Sequence, residues 1–247
     1  MDAADRRVAR IKVFGIGGAG TNVVNRMIES GVDGVEFVTV NTDCQELNKS
    51  LCTHRIQIGG TLTAGRGAGA KPEVGMRCAL ESRMDLADAL EGADLVFLAA
   101  GLGGGTGTGA TPIVAELASR AGIVTVAVVT KPFKFEGSNR MRQAEAGISA
   151  LSSRVDSLLI IPNEQLRYVA DRKITLGNAF AIADDVMRQA VTSISELVCF
   201  SEQVTVDLDH AGIASVMKHF GWVHTNGQVS PTGKAPESPQ ESPARDP

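Results

Sequence analysis

The sequence predicts an α/β protein built on a Rossmann-like parallel sheet. Short segments that are almost entirely apolar alternate with longer amphipathic ones, and two of the apolar segments run directly into glycine-rich loops. Strands of a parallel sheet are covered by helices on both faces, so they are apolar throughout their length. The chain has 247 residues, of which 43% are hydrophobic. That is enough for one large core or two small ones.

The predicted elements follow one another along the chain in the order of βαβ units. Strands are predicted at 11–16, 35–40, 94–100, 123–130 and 155–161. Helices are predicted at 22–28, 72–90, 111–121, 137–153 and 176–198. The Gly/Thr-rich stretch 59–69 is predicted to be a loop. Pro72 suits the first turn of the helix that follows it.

The two ends of the chain differ in composition from the middle. Residues 1–10 are charged and predict a flexible lead-in, ahead of one α/β domain at 11–175 and a long central helix at 176–200. A segment at 201–224 follows the helix. Residues 225–247 hold five prolines and almost no apolar groups. Such a tail cannot offset the entropy of ordering and is predicted to be disordered.

Composition argues against several classes of protein. The formal net charge of −4 gives no electrostatic basis for binding nucleic acid. No apolar run approaches the roughly 18 residues of a spanning helix, and the start is too charged for a signal peptide, so we expect a cytoplasmic protein without direct membrane binding. The four cysteines and four histidines lack the spacing of metal ligands, so no metal site is predicted from them.

The loop at 101–109 carries the strongest chemical signal, with six glycines in nine residues. It follows the apolar run 95–100 and precedes a predicted helix. Glycine lets the backbone approach phosphate oxygens closely, and its bare N–H groups point at the anion. Thr106 and Thr108 add hydroxyl donors. The loop therefore predicts a phosphate-binding site.

A second glycine loop leaves two nucleotide classes open. Gly15, Gly17 and Gly20 form the G-x-G-x-x-G spacing between a strand and a helix. Asn41 and Asp43 follow the second strand, about where a dinucleotide fold places its ribose-binding acid. This pattern alone predicts an NAD-binding protein. A dinucleotide fold, however, gives no reason for the richer second loop, and no G-x-x-x-x-G-K-[ST] segment supports a P-loop NTPase.

The sequence Gly-Gly-Gly-Thr-Gly-Thr-Gly at 103–109 resembles the signature loop of the tubulin and FtsZ superfamily of GTPases. The flanking motifs are similar to those of FtsZ, the family of bacterial cell-division GTPases. These motifs lie at 13–22, 41–43, 67–75, 130–137 with Arg140, and 161–163. The similarity runs from about residue 11 to residue 200 with the motifs in the family's order. It implies that 11–175 is a GTP-binding domain.

The resemblance implies a site for GTP or GDP, with Mg²⁺ accompanying the nucleotide. Phosphate contacts are implied for two loops, namely Gly18, Ala19, Gly20, Thr21 and Asn22 in the first and Gly105, Thr106 and Gly107 in the second. Gly69 and Ala70 are implied to face the γ-phosphate. Lys71 follows them, and we expect its side chain to point to solvent.

For the nucleoside, the resemblance implies that Glu136 and Arg140 contact the ribose and phosphate region. Asn163 and Asp184 would hydrogen-bond guanine, with Phe180 stacked on the base. A carboxylate accepts from both guanine N1–H and N2–H, whereas adenine would leave it unpaired. The residues alone also allow plainer interpretations. Phe180 has the helical spacing of a core residue, Glu136 and Arg140 the spacing of a surface pair, and Asp184 the polarity of a solvated face.

In the FtsZ family a loop with the pattern Asn-x-Asp-x-x-Asp, supplied by the next subunit, positions the attacking water. The corresponding stretch here is 204–213. Aligned from the downstream side, Asp209 takes the first acidic position; aligned from the upstream side, Asp207 does. The second acid is absent in either register, because Gly212 or His210 stands there, and the loop is two residues longer. Asp207 and Asp209 are therefore the catalytic candidates in this stretch.

The resemblance fades after Phe220, so the second, C-terminal domain of the family is expected to be missing. Segment 201–224 would then be a remnant of the catalytic loop and the helix after it. Two functions remain open. The first is an FtsZ-like protein that binds GTP and self-associates into the polymer of the division ring. The second is a hydrolysis-deficient regulatory paralogue that caps or tunes filaments of an intact FtsZ.

Overall fold

Six parallel strands form the centre of the molecule, and helices cover both faces of the sheet. The computed structural model describes residues 9–166, 175, 178–200, 222–225 and 228–231, and it describes side chains as far as residue 195. The strands are β1 (Ile11–Ile16), β2 (Val35–Asn41), β3 (His54–Gln57), β4 (Leu95–Gly101), β5 (Val124–Lys131) and β6 (Ser157–Pro162). Their order in the sheet is β3-β2-β1-β4-β5-β6, so the direction of winding reverses between β1 and β4.

The helices lie between these strands in the sequence, apart from the last. They are α1 (Gly17–Glu29), α2 (Cys44–Asn48), α3 (Gly60–Thr63), α4 (Pro72–Glu81), α5 (Arg83–Leu90), α6 (Thr106–Arg120), α7 (Ser138–Ser152) and α8 (Ala179–Phe200). Short 3₁₀ helices occupy Lys134–Glu136 and Asn163–Gln165. Within the described part of the chain, no helix has both the length and the apolar character needed to cross a bilayer.

Two hydrophobic cores lie on opposite faces of the sheet. Phe14 and Ile16 of β1 are buried on the face that α4, α5, α6 and α7 cover. Val13, which directly precedes Phe14, is buried on the other face, where α1 and α8 pack. This alternation is the period of two that every strand imposes on its side chains. Ala183, Met187 and Val191 of α8 are spaced four residues apart and carry that helix onto the second core.

The predicted fold class is confirmed, and each predicted strand is present with ends within two residues of the prediction. The sequence analysis missed α2 and β3, and it placed α3 in a loop. The predicted helix 72–90 is wrong as one element, because α4 ends at Glu81 and α5 begins at Arg83. Ser82 between them leaves helical geometry, and its hydroxyl accepts a hydrogen bond from the Gly59 backbone N–H at 3.2 Å. A serine that bonds distant backbone in this way competes with the helix.

The structure also differs from the prediction at both ends of the chain. Arg10, the last residue of the predicted lead-in, is held by Asp94, whose carboxylate accepts from the Arg10 backbone N–H at 2.8 Å. Two further strands, β7 (Trp222–Thr225) and β8 (Gln228–Pro231), form an antiparallel pair, and β8 joins β6. Strand β8 lies within segment 225–247. The two residues between these strands are Asn-Gly, the pair most typical of a two-residue hairpin loop.

Helix α6 begins inside the glycine-rich loop at 101–109, and the glycines there allow α6 to cross α4 at a short distance. A methyl group placed on Gly109 would collide with the carbonyl of Pro72 and lie 2.6 Å from the Met76 nitrogen. A methyl group on Gly75 would collide with the Gly105 carbonyl. Part of the glycine content of the loop therefore serves helix packing.

Substituting Gly109→Ala should destabilise the protein by about 1–3 kcal/mol, because the added methyl meets the backbone of α4, which cannot rotate away. Urea unfolding followed by circular dichroism measures the change. Gly60→Ala is the matched control, since a methyl group there meets no atom within 4 Å. Equal stability of the two variants would contradict the close crossing of α4 and α6.

Candidate functional site

An open cavity of about 400 Å³ lies at the carboxyl ends of the parallel strands, above the point where the strand order reverses. Its lining comes from the carboxyl ends of β4 and β5, from the segments that follow β1, β4, β5 and β6, and from the start of α8. The lining residues are Gly18, Ala19, Asn22, Gly101, Leu102, Gly104, Gly105, Thr106, Thr130, Pro132, Glu136, Arg140, Asn163, Phe180, Ala183 and Asp184. Ligands of open α/β sheets bind at this kind of switch point.

The N-termini of α1 and α6 meet at one side of the cavity. Gly17 has φ = 73°, a left-handed conformation that glycine adopts without strain, and a methyl group on it would lie 3.0 Å from the Gly107 nitrogen. Neither helix has an acidic residue in its first turn, and neither has a side-chain cap. The first N–H groups of both helices are therefore free of capping side chains, and this end of the cavity favours an anion.

Three of the predicted phosphate residues lie behind the lining of the cavity. Methyl groups on Gly20 and Gly107 would collide with the carbonyls of Ala99 and Gly101, so these glycines let α1 and α6 approach β4. Thr21 is buried, and its hydroxyl donates to the Gly17 carbonyl at 2.9 Å within the helix. Gly20, Thr21 and Gly107 therefore shape the two loops from behind. The other predicted residues of the two phosphate loops, Gly18, Ala19, Asn22, Gly105 and Thr106, line the cavity.

Gly69 and Ala70 form an exposed turn next to the second glycine loop. Both have φ = 58°, and Ala70 is one of two non-glycine residues with positive φ in the described chain. Neither lines the cavity, but the residues on either side of the turn lie beside one that does, because a methyl group on Gly105 would lie 2.7 Å from the Ala68 Cβ and 3.0 Å from the Lys71 nitrogen. Lys71 is exposed, as predicted.

The opposite end of the cavity contains two buried polar side chains. Asp184 is 6% exposed and Asn163 is 5% exposed. Burial raises the pKa of Asp184 to about 6, against the opposing effects of a hydrogen bond from Asn22 and the charge of Arg26. Asn163 Oδ1 is buried without a hydrogen-bond partner among the described residues. Because unsatisfied buried polar atoms are costly, this end favours a ligand with hydrogen-bond donors.

Asn22 connects the two ends of the site. Its Nδ2 donates to Asp184 Oδ2 at 3.0 Å, across 162 residues of sequence. Its amide donor thus contacts the predicted base-binding carboxylate rather than lying only beside the phosphate loop. The solvated-face interpretation of Asp184 is wrong, because the side chain is buried in the wall of the cavity.

Phe180 stands at the mouth of the cavity, 49% exposed, so the interpretation of this residue as core is wrong. Its ring is edge-on to Phe133 and Phe135, with centroid distances of 5.8 and 6.1 Å. The three phenyl rings pack against one another, and the Phe180 ring remains accessible to solvent. An accessible aromatic ring beside a polar cavity can stack on a planar ligand.

Glu136 and Arg140 form an ion pair at 2.8 Å on the cavity wall. The other carboxylate oxygen of Glu136 accepts from the Phe133 backbone N–H at 2.8 Å. Glu136 is mostly buried, so the pair is more than the exposed surface contact that its spacing allows. The carboxylate holds the half-exposed guanidinium at the cavity.

The sequence analysis missed Thr130, Pro132 and Ala183 of the lining, whereas Gly101, Leu102 and Gly104 belong to the loop that it predicted to bind phosphate. The signal for Thr130 and Pro132 was their position at the carboxyl end of β5, where parallel sheets place ligands. Thr108, expected as a hydroxyl donor, instead accepts from the Gly103 backbone N–H at 2.8 Å within the loop. Asp207 and Asp209 lie outside the described residues.

The fold and the cavity define a class of protein. A parallel sheet with two glycine loops and two helix N-termini at its switch point is the architecture of α/β proteins that bind nucleotide phosphates. The buried carboxylate at the far end of the cavity distinguishes one end of the ligand from the other.

Residues 10–171 match the family model described as Tubulin/FtsZ family, GTPase domain. The match covers more than half of the chain, and the protein belongs to the Tubulin/FtsZ family. It is similar to the FtsZ dimer, empty, of M. jannaschii, with 41% identity and a TM-score of 0.80 over 86% of this chain and 61% of that one. A mutant of the M. jannaschii FtsZ matches with 41% identity and a TM-score of 0.78, over 83% and 62% of the two chains.

A more distant structure shares the fold. The GTPγS-bound protofilament of CetZ2 from Haloferax volcanii has 22% identity and a TM-score of 0.68, over 81% of this chain and 60% of that one. This chain therefore spans about three fifths of the length of the FtsZ and CetZ2 chains that it matches.

Asp184→Asn should stabilise the ligand-free protein at neutral pH. The folded-state pKa of about 6 lies above the ordinary 3.8, so ionisation of Asp184 weakens folding as the pH rises through that interval. Asparagine stays neutral and still accepts from Asn22. The stability of the variant relative to wild type should rise by about 2–4 kcal/mol between pH 4 and pH 7.5. Urea unfolding at a series of pH values tests this, and a pH-independent difference would contradict it.

Proposed function

We propose that this protein binds GTP and GDP in the cavity and takes part in cell division in the cytoplasm, at the division site, as an FtsZ-like protein. Its molecular role would be assembly into a GTP-dependent polymer, with hydrolysis at subunit junctions. The observation that carries the nucleotide assignment is the pairing of a buried carboxylate at one end of the cavity with two helix N-termini at the other. Membership of the Tubulin/FtsZ family supports it.

The phosphates would lie against the first turns of α1 and α6. The phosphates would accept hydrogen bonds from the backbone N–H groups of Gly18, Ala19, Gly20 and Thr21 on one side. On the other side they would accept from those of Gly105, Thr106 and Gly107. Several such donors and two helix dipoles disperse the charge of a triphosphate without a dedicated lysine. Mg²⁺ would be bound chiefly by phosphate oxygens and water, which is its usual mode beside nucleotides.

The guanine base would occupy the end of the cavity with Asp184 and Asn163. The ionised carboxylate of Asp184 accepts two hydrogen bonds from guanine N1–H and N2–H, which compensates its burial. Asn163 Oδ1, which lacks a partner among the described residues, becomes available to a ring substituent. Phe180 covers the face of the base, and the Glu136–Arg140 pair lies between base and phosphates, near the ribose. Asn22, whose side chain donates a hydrogen bond to Asp184, connects the base-binding part of the site with the phosphate-binding part.

Hydrolysis would need a second subunit. In the proposed polymer, Asp207 or Asp209 of the next protomer orients the attacking water over the terminal phosphate. Loss of one water-orienting acid costs about 10²–10⁴ in rate.

One sequence observation favours a second function. Gly212 or His210 stands where the family has its second acid. The alternative role is therefore a hydrolysis-deficient paralogue that binds GTP and caps or tunes filaments of an intact FtsZ.

Guanine recognition is tested by calorimetric titration of the purified protein with GTP, GDP, ATP and NAD. We expect binding of guanine nucleotides alone. Asp184→Asn should weaken GDP binding about 10- to 100-fold, the effect of losing a charge-assisted hydrogen bond in a buried site. Asp185→Asn is the matched control, because the neighbouring carboxylate bonds Arg188 and Gln189 instead. Binding of NAD, or equal GDP affinity of the two variants, would contradict the assignment.

Polymer formation and hydrolysis are tested by light scattering and phosphate release across a range of protein concentrations. An autonomous polymerising GTPase shows turnover per subunit that rises with concentration, because each site is completed by a neighbour. The regulatory alternative instead predicts negligible turnover alone and altered assembly when the chain is mixed with an intact FtsZ at equimolar ratio. Absence of both effects would contradict both roles while leaving nucleotide binding intact.

A further inference from the structure

One face of helix α7 supports both the second glycine loop and the Gly69–Ala70 turn. Arg140, Gln143 and Gly147 are spaced three and four residues apart, so they share that face. A methyl group on Gly103 would lie 2.9 Å from the Arg140 carbonyl oxygen, and one on Gly147 would lie 2.8 Å from the Thr108 Cγ2. The first three turns of α7 are therefore packed directly against the glycine loop.

Gln143 makes the corresponding contact to the exposed turn. Its Nε2 donates to the Ala70 carbonyl oxygen at 3.3 Å, while its Oε1 is buried with no partner among the described residues. Among the described hydrogen bonds, no other side chain reaches Gly69 or Ala70. The hydrogen bond from Gln143 restricts the turn. It does so at an energetic cost, because the Gln143 Oε1 stays buried without a partner among the described residues.

The turn needs such a restraint. Ala70 is left-handed at φ = 58°, a conformation that costs an L-residue roughly 1–2 kcal/mol. Gly69 has the same φ, and a methyl group on it would meet no atom within 4 Å, so packing does not hold it. The Lys71 backbone N–H donates to the Ala68 carbonyl oxygen at 3.1 Å and closes the turn, and turns are among the backbone conformations whose N–H groups form anion-binding concavities.

We propose that Gln143 is a positioning residue that holds this turn ready for the terminal phosphate and so sets the preference of the site for a triphosphate over a diphosphate. The inference rests on the proposed binding of guanine nucleotides. The turn does not line the cavity, but Ala68 and Lys71 on either side of it pack against Gly105, which does. A diphosphate bound against Gly105 would leave the turn unused, whereas a third phosphate would extend toward it.

The test compares two variants with wild type by calorimetric titration with GDP and with a non-hydrolysable GTP analogue. Gln143→Ala removes the donor and favours the helix, and Gln143→Glu keeps the size but turns an acceptor toward the Ala70 carbonyl. Both should weaken binding of the GTP analogue about three- to tenfold, the effect of one hydrogen bond. GDP affinity should change less than about twofold. Gln189→Ala, on the exposed side of α8, should change neither affinity.

A purely structural role for Gln143 would weaken both ligands equally, and that result, or no change in either, would overturn the proposal. Amide hydrogen exchange of the nucleotide-free protein supplies a second readout. Exchange at residues 69–71 should be faster in Gln143→Ala, with exchange at 61–63 unchanged. Unchanged exchange at the turn would overturn the positioning role, whereas failure of wild type to bind any guanine nucleotide would overturn the proposed function.

Discussion

The close approach of two helix N-termini to the ends of β1 and β4 is the constraint on which the site depends. Glycine at the contact points lets the backbones of α1 and α6 lie against the strand ends, since any side chain at Gly20 or Gly107 would collide with a carbonyl of β4. The same contacts direct the uncapped first turns of both helices to one cavity. A packing requirement and an electrostatic one are thus met by the same few residues.

The opposite end of the cavity is built by the packing of α8. Ala183, Met187 and Val191 place the helix on the sheet, and the residue next to Ala183 is Asp184, whose carboxylate is consequently buried. Burial raises its pKa, so the ligand-free protein carries an electrostatic cost at neutral pH. A ligand that offers hydrogen-bond donors there would relieve this cost. The cavity is therefore polarised, with donors at one end and an acceptor at the other.

Between these ends the walls are fixed by short-range contacts. Glu136 holds both the Phe133 backbone and the Arg140 guanidinium, and the phenyl rings of Phe133 and Phe135 support Phe180. These residues lie on the segment that follows β5 and at the start of α8. Because those segments are anchored by strands and helices, the geometry of the site is a consequence of the fold rather than of flexible loops.

The sequence by itself determined the parallel sheet, the two glycine loops and the family motifs, because strand burial and helix starts leave local patterns in the chain. The approximate bounds of β1, β4 and α7 follow from the same patterns. Only the tertiary structure decided that Asn22 bonds Asp184, that Phe180 is exposed, and that Ser82 divides one predicted helix into two. Each of these depends on a partner far away in sequence or on which face of a helix is covered. Such pairings arise from packing in three dimensions, for which local spacing carries no signal.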